Sequence, residues 1–133
     1  MQRLLLRTEF QAVLAGKVLA KTAHFALHAR NLEPSVRLQS LGAMVPKRWA
    51  KRAVTRNTIK RQIYNVSAAH ASALPVQAYV LRLRASFDRT VFVSATSDAL
   101  KQAVRTELQA LFTTASTLRA PFNDLVRTKP TTL

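Results

Sequence analysis

Arg52, Arg56, Lys60 and Arg61 stand in the stretch RAVTRNTIKR with no acidic residue among them. Arg56 and Lys60 are four residues apart, so a helix through this stretch stacks like charges one turn apart and loses roughly a few tenths of a kcal/mol by doing so. Stability does not explain the cluster, whereas phosphate binding does. Each phosphate neutralised by Lys or Arg releases condensed counterions and adds salt-sensitive affinity. On a wheel of about 100° per residue, Ile59, Ile63, Val66 and His70 fall in one arc. Asn57, Lys60, Arg61 and Tyr64 fall opposite, with Arg56 at the border. The isoleucine side docks. The other side presents cations, an amide for directional hydrogen bonds and a ring for stacking on a base.

The charge of the whole chain points the same way. Lys and Arg number 21 against 6 Asp and Glu, a formal net charge of +15 over 133 residues. Such self-repulsion in a small domain calls for a polyanionic partner. No acid occurs between Glu33 and Asp88, a span that holds Arg37, Lys47, Arg48, Lys51, Arg52, Arg56, Lys60, Arg61, Arg82 and Arg84. A merely solvated surface mixes signs. The absence of cysteine excludes disulfides and thiolate metal sites. Arg7 and Glu9 interrupt the N-terminal leucines before a signal-peptide core forms. No apolar run approaches the length of a membrane span. The expectation is a cytoplasmic protein without a membrane association.

The elements that must position these residues read as one α+β domain. Thr8 is placed to cap a short helix, TEFQAVLAG, with Phe10, Val13 and Leu14 on one face and Gly16 as its stop. KVLAKT and HFALHAR read as strands. In the second, Phe25, Leu27 and Ala29 alternate with His24, Ala26, His28 and Arg30, the pattern of a strand with one face on a core. RLQSLGAMV and QAYVLRLR are further strands, the latter with Tyr79, Leu81 and Leu83 opposite Ala78, Val80, Arg82 and Arg84. A helix runs from about Lys51 to His70. Another starts at Thr96 or Ser97 and carries Leu100, Val104, Leu108, Leu111, Ala115 and Leu118 on one stripe. The domain spans residues 1–118, and from Arg119 the pattern dissolves into a basic, disordered tail over 119–133.

RNTIKR, preceded by PKRWAKRAV and a glycine-bearing strand, resembles the signature of the protein subunit of bacterial ribonuclease P. RLLLRTEFQAVLAGK resembles that family's N-terminal helix and HFALHAR its following strand, so the similarity covers roughly residues 3–115. The resemblance implies an α/β sandwich of the kind seen in the second domain of ribosomal protein S5. Its β-α-β crossover is left-handed, where right-handed is the general rule. It implies that a partner RNA performs hydrolysis with magnesium ions while the protein, as part of the endoribonuclease holoenzyme, helps hold precursor tRNA. Lys47, Arg48, Lys51, Arg52, Arg56, Asn57, Lys60, Arg61 and Tyr64 then form the RNA-binding surface. Phe10, Leu14 and His28 line a cleft for the single-stranded 5′ leader. Three positions depart from the family pattern: Leu14 where a second aromatic is common, His28 where tyrosine is frequent, and Tyr64-Asn65 where Arg-Glu often closes the motif.

Each of these groups also has a plainer reading. Phe10 and Leu14 at i, i+4 suit a core, and Arg82 and Arg84 suit the charged edge of a sheet. His24 and His28 alternate on one strand face but lack a third ligand nearby in sequence, so no metal site is expected. Six scattered carboxylates, three histidines and no glycine-rich phosphate loop give no recognisable catalytic constellation. No catalytic residue, cofactor or obligate protein partner is expected in the chain. Composition alone equally suits a ribosomal protein or RNA chaperone. A DNA-binding regulator with residues 51–70 as recognition helix lacks the short helix that should precede it.

Overall fold

The computed structural model describes residues 1–87 and 98–132, with side chains for 1–87 and 98–116. In chain order the elements are β1 (Gln2–Arg3), α1 (Arg7–Leu14), β2 (Lys17–Lys21), β3 (Phe25–Asn31), β4 (Ser40–Met44), α2 (Ala53–His70), β5 (Gln77–Leu83) and α3 (Asp98–Thr132). The strands form one sheet in the order β1-β4-β5-β3-β2. β1 and β4 are parallel, β4 and β5 are parallel, and β3 runs antiparallel to both β5 and β2. The β4–α2–β5 unit therefore crosses between adjacent parallel strands.

Alternation on β3 and β5 divides the sheet into two faces, as the sequence pattern predicts. Phe25, Leu27, Ala29, Tyr79, Leu81 and Leu83 face α2 and α3 and build the larger core with Ile59, Ile63, Val104, Leu108, Leu111 and Phe112. Ala78 and Val80 face α1, where they join Leu4 and Val13, with Phe10, Leu14 and Met44 partly buried against them. In β2 the register shifts between Val18, opposite His28, and Ala20, opposite Leu27. This bulge lets two residues that would otherwise share a face serve opposite ones.

Several boundaries differ from the sequence reading. Thr8 does not cap α1. The N-cap is Leu6, two residues earlier, and the Glu9 carboxylate reaches back to accept the backbone N–H groups of Leu6 at 3.0 Å and Leu5 at 3.3 Å. A carboxylate at this end also meets the positive pole of the helix. The strand expected over RLQSLGAMV is confined to Ser40–Met44. The expected start of the last helix, Thr96 or Ser97, lies outside the described residues. Among the described side chains its buried stripe reaches Ala115, Leu118 lying beyond them, and the helix spans Asp98–Thr132.

Candidate nucleic-acid interface

α2 docks through Ile59, Ile63 and Val66 and leaves Asn57, Lys60 and Arg61 exposed, as the wheel requires. Its N-terminus adds to the positive field. The N-cap Arg52 makes no side-chain cap and no acid sits in the first turn, so the unneutralised helix pole adds its partial charge to the neighbouring cations. Lys47, Arg48, Lys51 and Arg52 are exposed on the loop that leads into this pole. That loop is held in shape by Pro46, whose carbonyl accepts the N–H groups of Trp49 and Ala50, both at 3.1 Å. Trp49 packs against the larger core, and the Arg48 guanidinium lies 5.1 Å from its ring centroid.

Two members of the expected surface are placed differently from their neighbours. Arg56 is half-buried, and its Nη1 donates to the carbonyls of Ala50 at 3.0 Å and Lys51 at 2.7 Å. It ties the basic loop to α2 as well as adding charge. Tyr64 is half-buried rather than presented as a stacking platform: the backbone N–H of Ala43 donates to its hydroxyl at 3.3 Å, and Arg3 covers its ring at 3.9 Å. A helical wheel cannot show this, because both partners come from strands.

The second predicted group assembles on the other face of the sheet. Phe10 of α1 lies over Gly42 of β4, where an added Cβ would come within 2.4 Å of the ring. Glycine is needed there for the close approach of the ring to the strand. Leu14 is half-buried one turn along α1, and His28 is 6% exposed, flanked in register by Val18 and Val80. Arg82 lies on the same face, and its Nε donates to His28 Nε2 at 3.3 Å. This geometry needs an unprotonated Nε2, so the neutral imidazole carries its proton on Nδ1. Burial first, then the charges of Arg82 and, more weakly, Lys21 push the His28 pKa below 6.5. The Leu14 backbone pulls the other way, although Nδ1 has no hydrogen-bond partner among the described residues. Arg82 is therefore not an edge-strand charge, because β5 lies between β4 and β3. Its alternation with Val80, on the face shared with His28, was the available signal.

His24 and Arg84 turn out to serve the β2–β3 connection. Glu107 of α3 accepts the backbone N–H of His24 at 2.7 Å and the Thr22 hydroxyl at 2.5 Å, and its other oxygen pairs with His24 Nδ1 at 2.7 Å. Arg84 donates to the Thr22 carbonyl at 2.8 Å and the Ala23 carbonyl at 3.2 Å. Among the described residues no group of three or more His, Cys, Asp or Glu is arranged to hold a metal ion. Nor is any helix among them long and apolar enough to cross a membrane.

Comparison with known proteins gives a consistent family. A family model described as Ribonuclease P matches residues 1–115. The ribonuclease P protein component of Bordetella parapertussis is 40% identical over 109 residues, covering 80% of this chain and 85% of the relative. That of Paraburkholderia xenovorans is 32% identical over 117 residues, covering 86% and 80%. Among solved structures, the RNase P protein of Staphylococcus aureus superposes with a TM-score of 0.67 at 21% identity, over 86% of this chain and 95% of that one. The Thermotoga maritima RNase P protein gives 0.59 at 22%, over 81% and 92%.

Proposed function

The chain belongs to the ribonuclease P protein family, the protein component of an endoribonuclease, and on that premise we propose how its two surfaces divide the work. The exposed loop cations Lys47, Arg48, Lys51 and Arg52, with Asn57, Lys60 and Arg61 of α2, bind the catalytic RNA subunit. Arg56 holds that loop on the helix. The groove beside α1, with Phe10, Leu14, His28 and Arg82, takes the single-stranded 5′ leader of precursor tRNA. The observation that carries this reading is the separation of the two groups. The densest cations sit with the uncapped helix pole, while the aromatic and imidazole rings lie on the opposite side of the sheet, where Arg82 is the arginine that contacts the imidazole. The first arrangement suits phosphates and the second suits stacked bases.

The contribution to catalysis is then electrostatic. A cationic surface between two polyanions lowers their mutual repulsion and reduces the magnesium that the RNA subunit needs to fold and to hold substrate. The chemistry stays with that RNA and its metal ions, and the protein acts in the cytoplasm where precursor tRNA is made. Reconstitution with the cognate RNA tests the reading. The protein should raise precursor cleavage at low magnesium and cleave nothing by itself. Metal-dependent cleavage by the RNA-free protein would overturn it.

A further inference from the structure

A cavity of about 280 Å³ between the N-terminal strand and α2 belongs to neither surface. Gln2 and Arg3 of β1, Leu41 of β4, and Tyr64, Asn65 and Ser67 of α2 contribute to its walls. It is smaller than the ~300–1,000 Å³ typical of drug-sized ligands, which suits one planar group. Its cation is held in place. The N–H of Gln2 donates to the Gln39 carbonyl at 2.8 Å and that of Leu4 to the Leu41 carbonyl at 3.0 Å, fixing the backbone on both sides of Arg3. The Arg3 guanidinium rests 3.9 Å above the Tyr64 ring, and that ring is itself tethered to Ala43 at 3.3 Å. Arg3 is exposed, so the guanidinium face turned away from Tyr64 is open.

The polar groups around this cation match a base better than a phosphate. A phosphate site gathers several cationic side chains, and Arg3 is the one cationic side chain among the residues lining the cavity, beside the amino terminus at Met1. The side-chain amides of Gln2 and Asn65 are exposed and make no hydrogen bond within the described residues. Each offers an adjacent donor and acceptor, the pattern that reads a base edge. Asn65 also follows Arg61 by one helical turn, so a strand lying on Lys60 and Arg61 passes the cavity mouth.

We propose that this cavity takes one unpaired nucleobase of the RNA bound along α2, stacked on the open face of Arg3 and hydrogen-bonded at its edge by Asn65 and Gln2. Stacking on an arginine plane backed by an aromatic ring is a recurring way to hold a splayed base. The proposal rests on the RNA-binding reading of α2, and its test separates the two. The full chain is titrated by NMR with octa-adenylate and with an abasic ribose-phosphate chain of equal length. Octa-adenylate should shift the Asn65 and Gln2 side-chain amide signals, and the abasic chain should leave them in place. Arg3→Lys keeps the charge but removes the plane, and should cut the preference for the base-bearing chain by roughly five-fold or more, the scale of one lost stack. Asn65→Ala, at an exposed helix position where alanine is the better former, should reduce it in the same direction and carries the test if Arg3→Lys disturbs β1. Equal shifts with the abasic chain, or an unchanged preference in both variants, would overturn the site. So would free adenosine monophosphate filling it as tightly as the octamer, which would assign it to a free nucleotide. Loss of salt-sensitive affinity for both chains would instead reject the reading of α2.

Discussion

On the face that α2 and α3 cover, Phe25, Leu27, Tyr79, Leu81 and Leu83 are wholly removed from solvent. On the face that α1 covers, the same two strands present Ala26, His28, Val80 and Arg82 beneath an eight-residue helix whose Phe10 and Leu14 are only partly buried. The two faces share a backbone and differ in what lies on it. Two long helices bring enough apolar surface to complete a core. One short helix cannot, and it leaves Phe10 and Leu14 only partly buried beside His28 and Arg82. If the α1 face holds the leader as proposed, damage to that face should read out in precursor binding and damage to the core face in stability.

The largest contrast is between two phenylalanines. Phe25→Ala empties a fully buried site and should cost about 3 to 5 kcal/mol, measured by urea unfolding. Phe10→Ala removes a half-buried ring and should cost less than half as much. Yet it should weaken binding of precursor tRNA by the holoenzyme by about 1 to 3 kcal/mol, the scale of a lost base stack, and leave mature tRNA binding unchanged. Gly42→Ala should imitate Phe10→Ala, since the new methyl would meet that ring within 2.4 Å. If Phe10→Ala proves as destabilising as Phe25→Ala, the α1 face is a second core and the division fails.

The alternation that separates the faces was legible because the period of a strand shows directly in the types of residue. The same holds for the docking side of α2. What the sequence hid came from contacts between distant segments. β1 is two residues long, too short for any period, so nothing flagged Arg3 or its position over Tyr64. Glu9 read only as a break in the N-terminal leucines, and its reach back to the N–H groups of Leu5 and Leu6 moved the helix start away from Thr8. Arg82 and Arg84 read alike along the strand, but one faces His28 and the other clasps the β2–β3 connection. Arg56 read as one more phosphate ligand because a wheel records direction and not partners.

That last point gives the next test, within the basic surface itself. Lys60→Ala with Arg61→Ala removes two exposed cations. Stability should stay within about 0.5 kcal/mol, while the slope of log affinity for the RNA subunit against log salt becomes shallower by roughly 1.4 to 1.8 units. Arg56→Ala should cost about 1 kcal/mol of stability through its two lost backbone acceptors, with a smaller change in slope. Equal stability losses in the two variants would mean that the exposed cations also hold the fold.

The smallest effect concerns His28, and its sign should reverse between the free and the leader-bound protein. In the free chain, burial and then the Arg82 charge hold its pKa below 6.5, so the folded state binds the proton less readily than the unfolded one. The stability linked to the neutral ring is fully present above about pH 6.5 and is lost as pH falls through the lowered folded value. Wild type should therefore lose more stability than His28→Asn between pH 7 and pH 5. The difference between the two isolates the part that belongs to His28. A leader lying in the groove brings phosphate charge beside the imidazole and favours its protonated form. Binding then takes up a proton, so the preference for precursor over mature tRNA should strengthen as pH falls in wild type and stay flat in His28→Asn. The acid that weakens the free fold should thus tighten the leader complex. An identical pH dependence of that preference in both proteins would place the leader away from His28, and the groove beside α1 would lose its assignment while the core face kept its own.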